Sequence, residues 1–332
     1  LSIRLGDLTL DPPVFLAPLA GITDLPFREL VSRFGAGLVV SEMIASQDLL
    51  NAKPGVREKA ELGLGVEGTS VQIAGCEAHW MGEAARYAES NGARIIDINM
   101  GCPAKKVTSS SGAGASGSAL LRDLDHALTL IEAVVDAVDV PVTLKTRLGW
   151  DDNLLNAPEL ARRAEAAGIQ MITIHGRTRC QFYKGSADWS AIADVKNAVS
   201  IPVIANGDIV DAESAGEALK SSGADGVMMG RGVQGQPWKL AEVGAELFGS
   251  ASPEIPTSDA FIEMVSEHYE AMLSFYGVPL GVRVARKHLS WYMDYIETGK
   301  ELRNQVLTAK TPSETLSLLP VALAPNDHRS AA

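Results

Sequence analysis

Eight short apolar, β-branched runs, spaced through the first three-quarters of the chain, restrict its possible folds more than any other feature. They are VFLAPLA (14–20), GLVVSEM (37–43), SVQIAG (70–75), RIIDINM (94–100), PVTLKTR (141–147), MITIHGR (171–177), PVIANGD (202–208) and GVMMGRG (226–232). Helical periodicity fills several of the intervals, at Glu77–Ser90, Asp123–Ala137, Pro158–Ala167, Trp189–Val199 and Ala212–Lys220. Near-continuous apolar strands alternating with amphipathic helices predict parallel strands covered on both faces. Eight such units match a closed (β/α)8 TIM barrel in number and spacing. An open doubly wound sheet would carry G-x-G-x-x-G after its first strand, whereas the first run here leads into Pro18-Leu19-Ala20-Gly21. The barrel is expected over residues 1–249, with an eighth helix at Trp238–Leu247. GSASPEIPTS (249–258) then reads as a linker. The helical patterns FIEMVSEHYEAMLSFYG, VRVARKHLSWYMDYI and SETLSLLPVAL follow, so a small all-helical domain is expected over 250–332, with a frayed tail after Asn326.

No stretch of about 18 apolar residues runs uninterrupted, so no membrane span is expected. No basic segment followed by an apolar one opens the chain, so a cytoplasmic location is expected. Three cysteines (Cys76, Cys102 and Cys180), none in C-x-x-C spacing, give neither a disulfide framework nor a metal site. The net charge of −12 speaks against binding nucleic acid through overall basicity.

In such a barrel the chemistry belongs at the C-terminal ends of the strands. Read in order, those ends offer Pro18-Leu19-Ala20-Gly21, Ser41-Glu42-Met43, Gln72, Asn99-Met100-Gly101-Cys102-Pro103, Lys145 with Arg147, His175 with Arg177, Asn206-Gly207-Asp208 and Gly230-Arg231-Gly232. Loops after strands seven and eight often bind phosphate. Gly207, Gly230 and Gly232 would let backbone N–H groups approach an anion, and Arg231 adds charge; the same glycines would also suit tight turns. Lys145, in an apolar run, needs a partner: an anionic ring atom of a redox cofactor, or Glu42 or Asp97. Gln72 could bond the amide edge of the same ring or be a satisfied core amide. His175 could face the ligand or pair with a carboxylate. Cys102, on a Gly-Cys-Pro turn at the mouth, suits a proton donor or nucleophile, although free cysteine is often a small buried hydrophobe.

These segments together resemble the bacterial tRNA-dihydrouridine synthases (Dus), nearest the DusB branch. The resemblance runs through APLAGITDLPFR (17–28), VQIAG (71–75), DINMGCPAKKV (97–107), GSALLRD (117–123), LKTRLGW (144–150), IHGRTR (174–179), ANGDI (205–209) and MMGRG (228–232), with RKHLSWY (286–292) in the helical part. It implies an FMN site formed by Pro18, Leu19, Ala20, Gln72, Lys145, His175, Asn206, Gly207, Asp208, Gly230 and Arg231, recharged by NADPH or NADH. It implies that Cys102 is the general acid in reducing the C5=C6 bond of a uridine extruded from tRNA. One departure is the stretch between Lys106 and Gly117, longer than the family's usual connection by a few small residues. For tRNA, the expected contacts are Asn99, Lys105, Lys106, Arg147, Arg177 and Arg179 around the mouth, and Arg283, Arg286 and Lys287, beside Arg303, on the helical part. Counterion release depends on such local contacts rather than on total charge. No stable protein partner is evident. An FMN barrel reductase acting on a small pyrimidine such as dihydroorotate would suit the acidic charge but leaves RKHLSWY unexplained. A non-catalytic RNA-binding barrel would leave Cys102, Lys145 and His175 without a use.

Overall fold

The computed structural model of the protein describes residues 2–50, 69–109 and 115–324. A short antiparallel hairpin, β1 (Ile3–Leu5) with β2 (Leu8–Leu10), precedes the barrel. The barrel strands are β3 (Val14–Leu16), β4 (Leu38–Val40), β5 (Ile44–Ala45), β6 (Thr69–Ala74), β7 (Ile95–Met100), β8 (Val142–Arg147), β9 (Met171–His175), β10 (Val203–Asn206) and β11 (Gly226–Met229). All pairings among them are parallel, and β11 closes the sheet against β3 through Val227↔Val14. The fold is the expected eight-stave barrel, with one stave in two pieces. Both β4 and β5 pair with β6, and at the break the Ser41 hydroxyl accepts from the Gln72 N–H, so the ladder donor stays satisfied. Helices at 78–90, 124–135, 157–166, 192–198, 212–222 and 239–248 occupy the expected intervals.

The strands alternate rather than being apolar throughout. Along β7, Ile96, Ile98 and Met100 pack under the outer helices, while Ile95 belongs to a separate core inside the barrel. That inner core lies at the N-terminal end, where Ile3, Leu5 and Leu10 of the hairpin meet Phe15, Leu38, Ile95, Met171 and Ile204. Further along the same inward rows come Asp97, Thr143 and Thr173, then Gln72, Asn99, Lys145, His175 and Asn206. The barrel is thus plugged with hydrocarbon at one end and lined with polar groups at the other, which leaves one end for chemistry.

A helix absent from the sequence reading, Leu25–Phe34, follows the first barrel strand. Asp24 caps it by accepting from the Phe27 N–H, Pro26 sits in its first turn, and Gly35 ends it at φ 113°. Four helices, Ser258–Tyr276, Val278–Tyr295, Lys300–Thr308 and Pro312–Ala322, form the C-terminal part. Their core of Phe261, Val265, Tyr269, Met272, Leu289 and Tyr292 includes Leu30 and Trp238, so it is continuous with the flank of the barrel. Residues 110–114 of the connection expected to be long, and the tail from 325, lie outside the described residues. Among the described residues no helix is long and apolar enough to cross a membrane.

Candidate active site

A buried hydrogen-bond chain runs across the barrel interior and ends at Cys102. Thr143 Oγ1 and Gln72 Nε2 both donate to the Asp97 carboxylate, each at 2.6 Å. Asn99 Nδ2 donates to Gln72 Oε1 at 2.7 Å. Asn99 Oδ1 then accepts from the backbone N–H groups of Gly101 (3.2 Å) and Cys102 (3.0 Å). The cysteine turn is held from its other side as well. Its carbonyl accepts from the N–H and hydroxyl of Ser118, at 3.1 and 2.9 Å. Gly117 (φ 58°) passes so close that a β-carbon there would lie 2.7 Å from that carbonyl. Cys102 is half-buried. Asp97, enclosed among these groups, has its acidity weakened by burial, which its hydrogen bonds to Gln72 and Thr143 oppose.

Lys145 lies on the next strand, with Asn99 directly across the ladder. Its ammonium donates to Asn206 Oδ1 at 3.0 Å, and Asn206 Nδ2 donates to the Met228 carbonyl at 2.8 Å, fixing the amide's orientation. Enclosure, aided by the nearby Arg147 charge, pushes the Lys145 pKa down to about 8. His175 is held neutral, well below its ordinary value, by burial and by the surrounding charges of Arg147, Lys145, Arg177 and Arg231. In a chain of net charge −12, the mouth is therefore a concentration of cations, suited to a ligand carrying negative charge.

Two arginines expected on the tRNA surface are not there. Arg147 is buried, its Nε donating to Gly101 O (2.7 Å) and its Nη1 to Thr178 O (3.0 Å) and Phe182 O (2.8 Å). Arg177 is also buried; it forks onto Asp208 at 2.9 and 2.6 Å and donates to the carbonyls of Lys184 and Gly185. Both arginines gather loop carbonyls and so hold the rim of the mouth together. Asp208 is spent likewise on Arg177 and on the Ala187 N–H. Gln72, expected at a ring edge, has both ends of its amide engaged within the protein. Asn99, expected at a tRNA contact, is nearly enclosed and serves the Cys102 turn.

The remaining expected residues stay available. Pro18 and Leu19 are half-buried and Ala20 exposed. Gly230 lies beside Leu19 and Ala17, so the loops after the first and last barrel strands meet. Gly207 (φ 111°) rides against His175, where a β-carbon would come within 2.9 Å of the ring. Lys105 and Lys106 are exposed on the single-turn helix Lys105–Thr108. Arg179 and Arg122 both lie over the Trp150 ring, 4.8 and 5.0 Å from its centroid, and Arg179 also donates to Thr108 Oγ1. Arg283, Arg286 and Lys287 are exposed, but Lys287 donates to a barrel loop; Arg303 pairs with Asp294. Sequence reading missed Tyr183, exposed over the mouth with Arg147 and Arg231 about its ring, at 5.5 and 5.6 Å, and His175 nearby. Its position in an irregular loop left no periodicity to mark it.

The family model described as dihydrouridine synthase (Dus) matches residues 15–326. The chain belongs to the dihydrouridine synthase family. Enzymes of this family are oxidoreductases, and the chain is one of them. It is 62% identical to the probable tRNA-dihydrouridine synthase of Rhodobacter capsulatus, covering 96% of this chain and 97% of that one. It is 54% identical to the probable tRNA-dihydrouridine synthase of Rhizobium leguminosarum, covering 93% and 95%. Identity to tRNA-dihydrouridine synthase B of Xanthomonas campestris is 46%, over 95% and 94%. Among solved structures, a morphinone reductase in complex with tetrahydroNAD shares the fold at TM-score 0.54 and 15% identity, covering 76% of this chain and 91% of that one.

Proposed function

We propose that this dihydrouridine synthase uses FMN, recharged by NADPH or NADH, to reduce the C5=C6 bond of a uridine in tRNA. The observation that carries the reading is the arrangement at the mouth, where a half-buried thiol on a doubly anchored turn neighbours an enclosed, charged lysine. Pro18, Leu19 and Ala20, with Gly207, Gly230 and Arg231, would hold the flavin and its phosphate. Lys145 would face an anionic ring atom; its depressed pKa reflects a buried charge beside Arg147 that an anion would stabilise. Neutral His175 would contact the same ligand as a hydrogen-bonding group without adding charge. When bound, the reduced flavin supplies hydride to C6 of the uracil.

The protein's part is to accept the base, exclude water and provide the proton. Cys102 Sγ donates that proton to C5. Asn99 and Ser118 fix the backbone from which the thiol projects. A uridine must leave its stack to enter the barrel, and Tyr183 offers an aromatic face beside the entrance. Lys105, Lys106, Arg283 and Arg286, exposed among the described residues, would meet phosphates, with Arg179 beside them.

The test is to incubate the FMN-loaded protein and NADPH with unmodified tRNA and digest the product for nucleoside mass spectrometry. Dihydrouridine at defined positions is expected. FMN-loaded protein that oxidises NADPH but leaves every uridine intact would refute the proposal.

A further inference from the structure

The motif RKHLSWY (286–292) lies on helix Val278–Tyr295, outside the barrel, yet it turns inward onto two of the barrel's mouth loops. Lys287 Nζ donates to the carbonyl of Gly21 at 2.5 Å, across 266 positions of sequence. The adjacent His288, buried, hydrogen-bonds the backbone of Ile22 and packs its ring on Phe27 at 4.9 Å. From the preceding helix, Tyr276 Oη donates to Asp24 Oδ2 at 3.1 Å, while the other oxygen of that carboxylate caps helix Leu25–Phe34. Three side chains of the C-terminal helices thus grip Gly21, Ile22 and Asp24 in succession. On its inner side the same loop is held by the Ile22 N–H, which donates to Glu42 Oε1 at 3.0 Å. One turn beyond Lys287, the backbone of Trp291 lies against Gly235 (φ 75°), where a β-carbon would come within 2.4 Å of the Trp291 carbonyl oxygen. Gly235 follows the Gly230–Val233 segment. One helix therefore touches the loops after both the first and the last barrel strands, which adjoin in the sheet.

We propose that Lys287 and His288 are positioning residues for the cofactor site, so that the C-terminal helices hold the Pro18–Gly21 loop in its flavin-binding shape. The inference rests on the flavin reading above. It replaces the expectation that Lys287 reads tRNA from a surface remote from the cofactor. Within itself the loop is closed as a turn by the Ile22 and Thr23 N–H groups, which donate to the Leu19 carbonyl at 2.9 and 3.0 Å, and the ties to Lys287, His288 and Tyr276 fix that turn from outside. It carries one internal side-chain cap, Thr23 Oγ1 accepting from the Leu19 N–H at 2.8 Å, and Gly21 sits at φ 72°, where glycine holds no preference against other basins. Tying the Gly21 and Ile22 carbonyls outward selects one conformation before any ligand arrives, which lowers the ordering cost of binding.

Lys287 is exposed, so its variants retain the core, and thermal unfolding checks that they do. Two measurements on Lys287→Met, Lys287→Arg and a control, Lys300→Met on the neighbouring helix, test the proposal. Hydrogen exchange in flavin-free protein should be faster for the amides of Leu19, Ile22 and Thr23 in Lys287→Met, with wild-type rates in Lys300→Met. The Kd for FMN, from quenching of flavin fluorescence, should weaken about five- to ten-fold in Lys287→Met, the scale of losing one charge-assisted hydrogen bond. Lys287→Arg should stay near wild type. Unchanged exchange in Lys287→Met overturns the clamp. Faster exchange with unchanged FMN affinity overturns its role in positioning the cofactor. A wild type that binds no FMN refutes the flavin reading and this inference together, whereas a wild type and Lys287→Met that bind equally well refute the inference alone.

Discussion

Replacing Lys145 with methionine should stabilise the cofactor-free protein while weakening its hold on flavin. Burial, helped by the charge of Arg147, lowers the pKa of Lys145 from the ordinary 10.5 to about 8. At about 1.4 kcal/mol per pKa unit that fall corresponds to about 3 kcal/mol of unfavourable charge burial at neutral pH. The variant also loses the bond to Asn206, worth about 1 kcal/mol, so the net gain is about 2 kcal/mol. The pH dependence identifies the cause. The unfolded chain keeps the lysine proton up to its ordinary value, whereas the fold sheds it near 8. Between those limits the unfolded state binds more protons, and wild-type stability rises with pH. Urea denaturation of flavin-free protein at pH 7 and pH 10 should show the variant ahead by about 2 kcal/mol at the lower pH and the gap gone at the higher. A variant less stable than wild type at pH 7, or a gap that ignores pH, would refute the view that this charge is kept for a ligand at the expense of stability.

Arg177→Met should destabilise the fold by about 3 kcal/mol, the low end for breaking a buried pair because Asp208 is partly exposed, and lower the Tm by about 5–10 °C. Partial burial would raise the Asp208 pKa, but the Arg177 and Ala187 bonds hold it below the ordinary value; that stabilisation is present above about pH 4 and lost as the pH falls through the folded value, so the wild type and variant should converge in acid. Gln72→Leu should cost about 2–4 kcal/mol by leaving Asp97 Oδ2 and Asn99 Nδ2 without their Gln72 partner, and should speed modification of Cys102 by a thiol reagent as its turn loosens. Lys105→Glu with Lys106→Glu should weaken tRNA binding and reduce the slope of log K against log salt by about 2, read by filter binding at two salt concentrations, with FMN content unchanged.

Most of the barrel was legible because its strands and helices carry their own periodicities. The Ile3–Leu10 hairpin was not, since three-residue strands are too short to show alternation. Helix Leu25–Phe34 had readable limits in Asp24, Pro26 and Gly35, but only against a strand end already placed. Cys102 and Lys145 stood out because a turn cysteine at a strand end and a lysine in an apolar run are locally unusual. The burial of Arg147 and Arg177 was not legible, because it depends on carbonyls brought together from Gly101, Thr178, Phe182, Lys184 and Gly185 by the fold alone. Lys287 was read from its own helix, and its partner lies at the far end of the chain.

The central claim is that the Cys102 thiol protonates a uracil reduced at this mouth. FMN-loaded protein, reduced beforehand, can be mixed with unmodified tRNA and the single-turnover formation of dihydrouridine followed by quenching and mass spectrometry. Cys102→Ala should retain FMN and its reduction by NADPH, while the rate of dihydrouridine formation falls by about 10²-fold or more, as expected for losing a general acid. A Cys102→Ala protein that forms dihydrouridine at the wild-type rate would contradict the account.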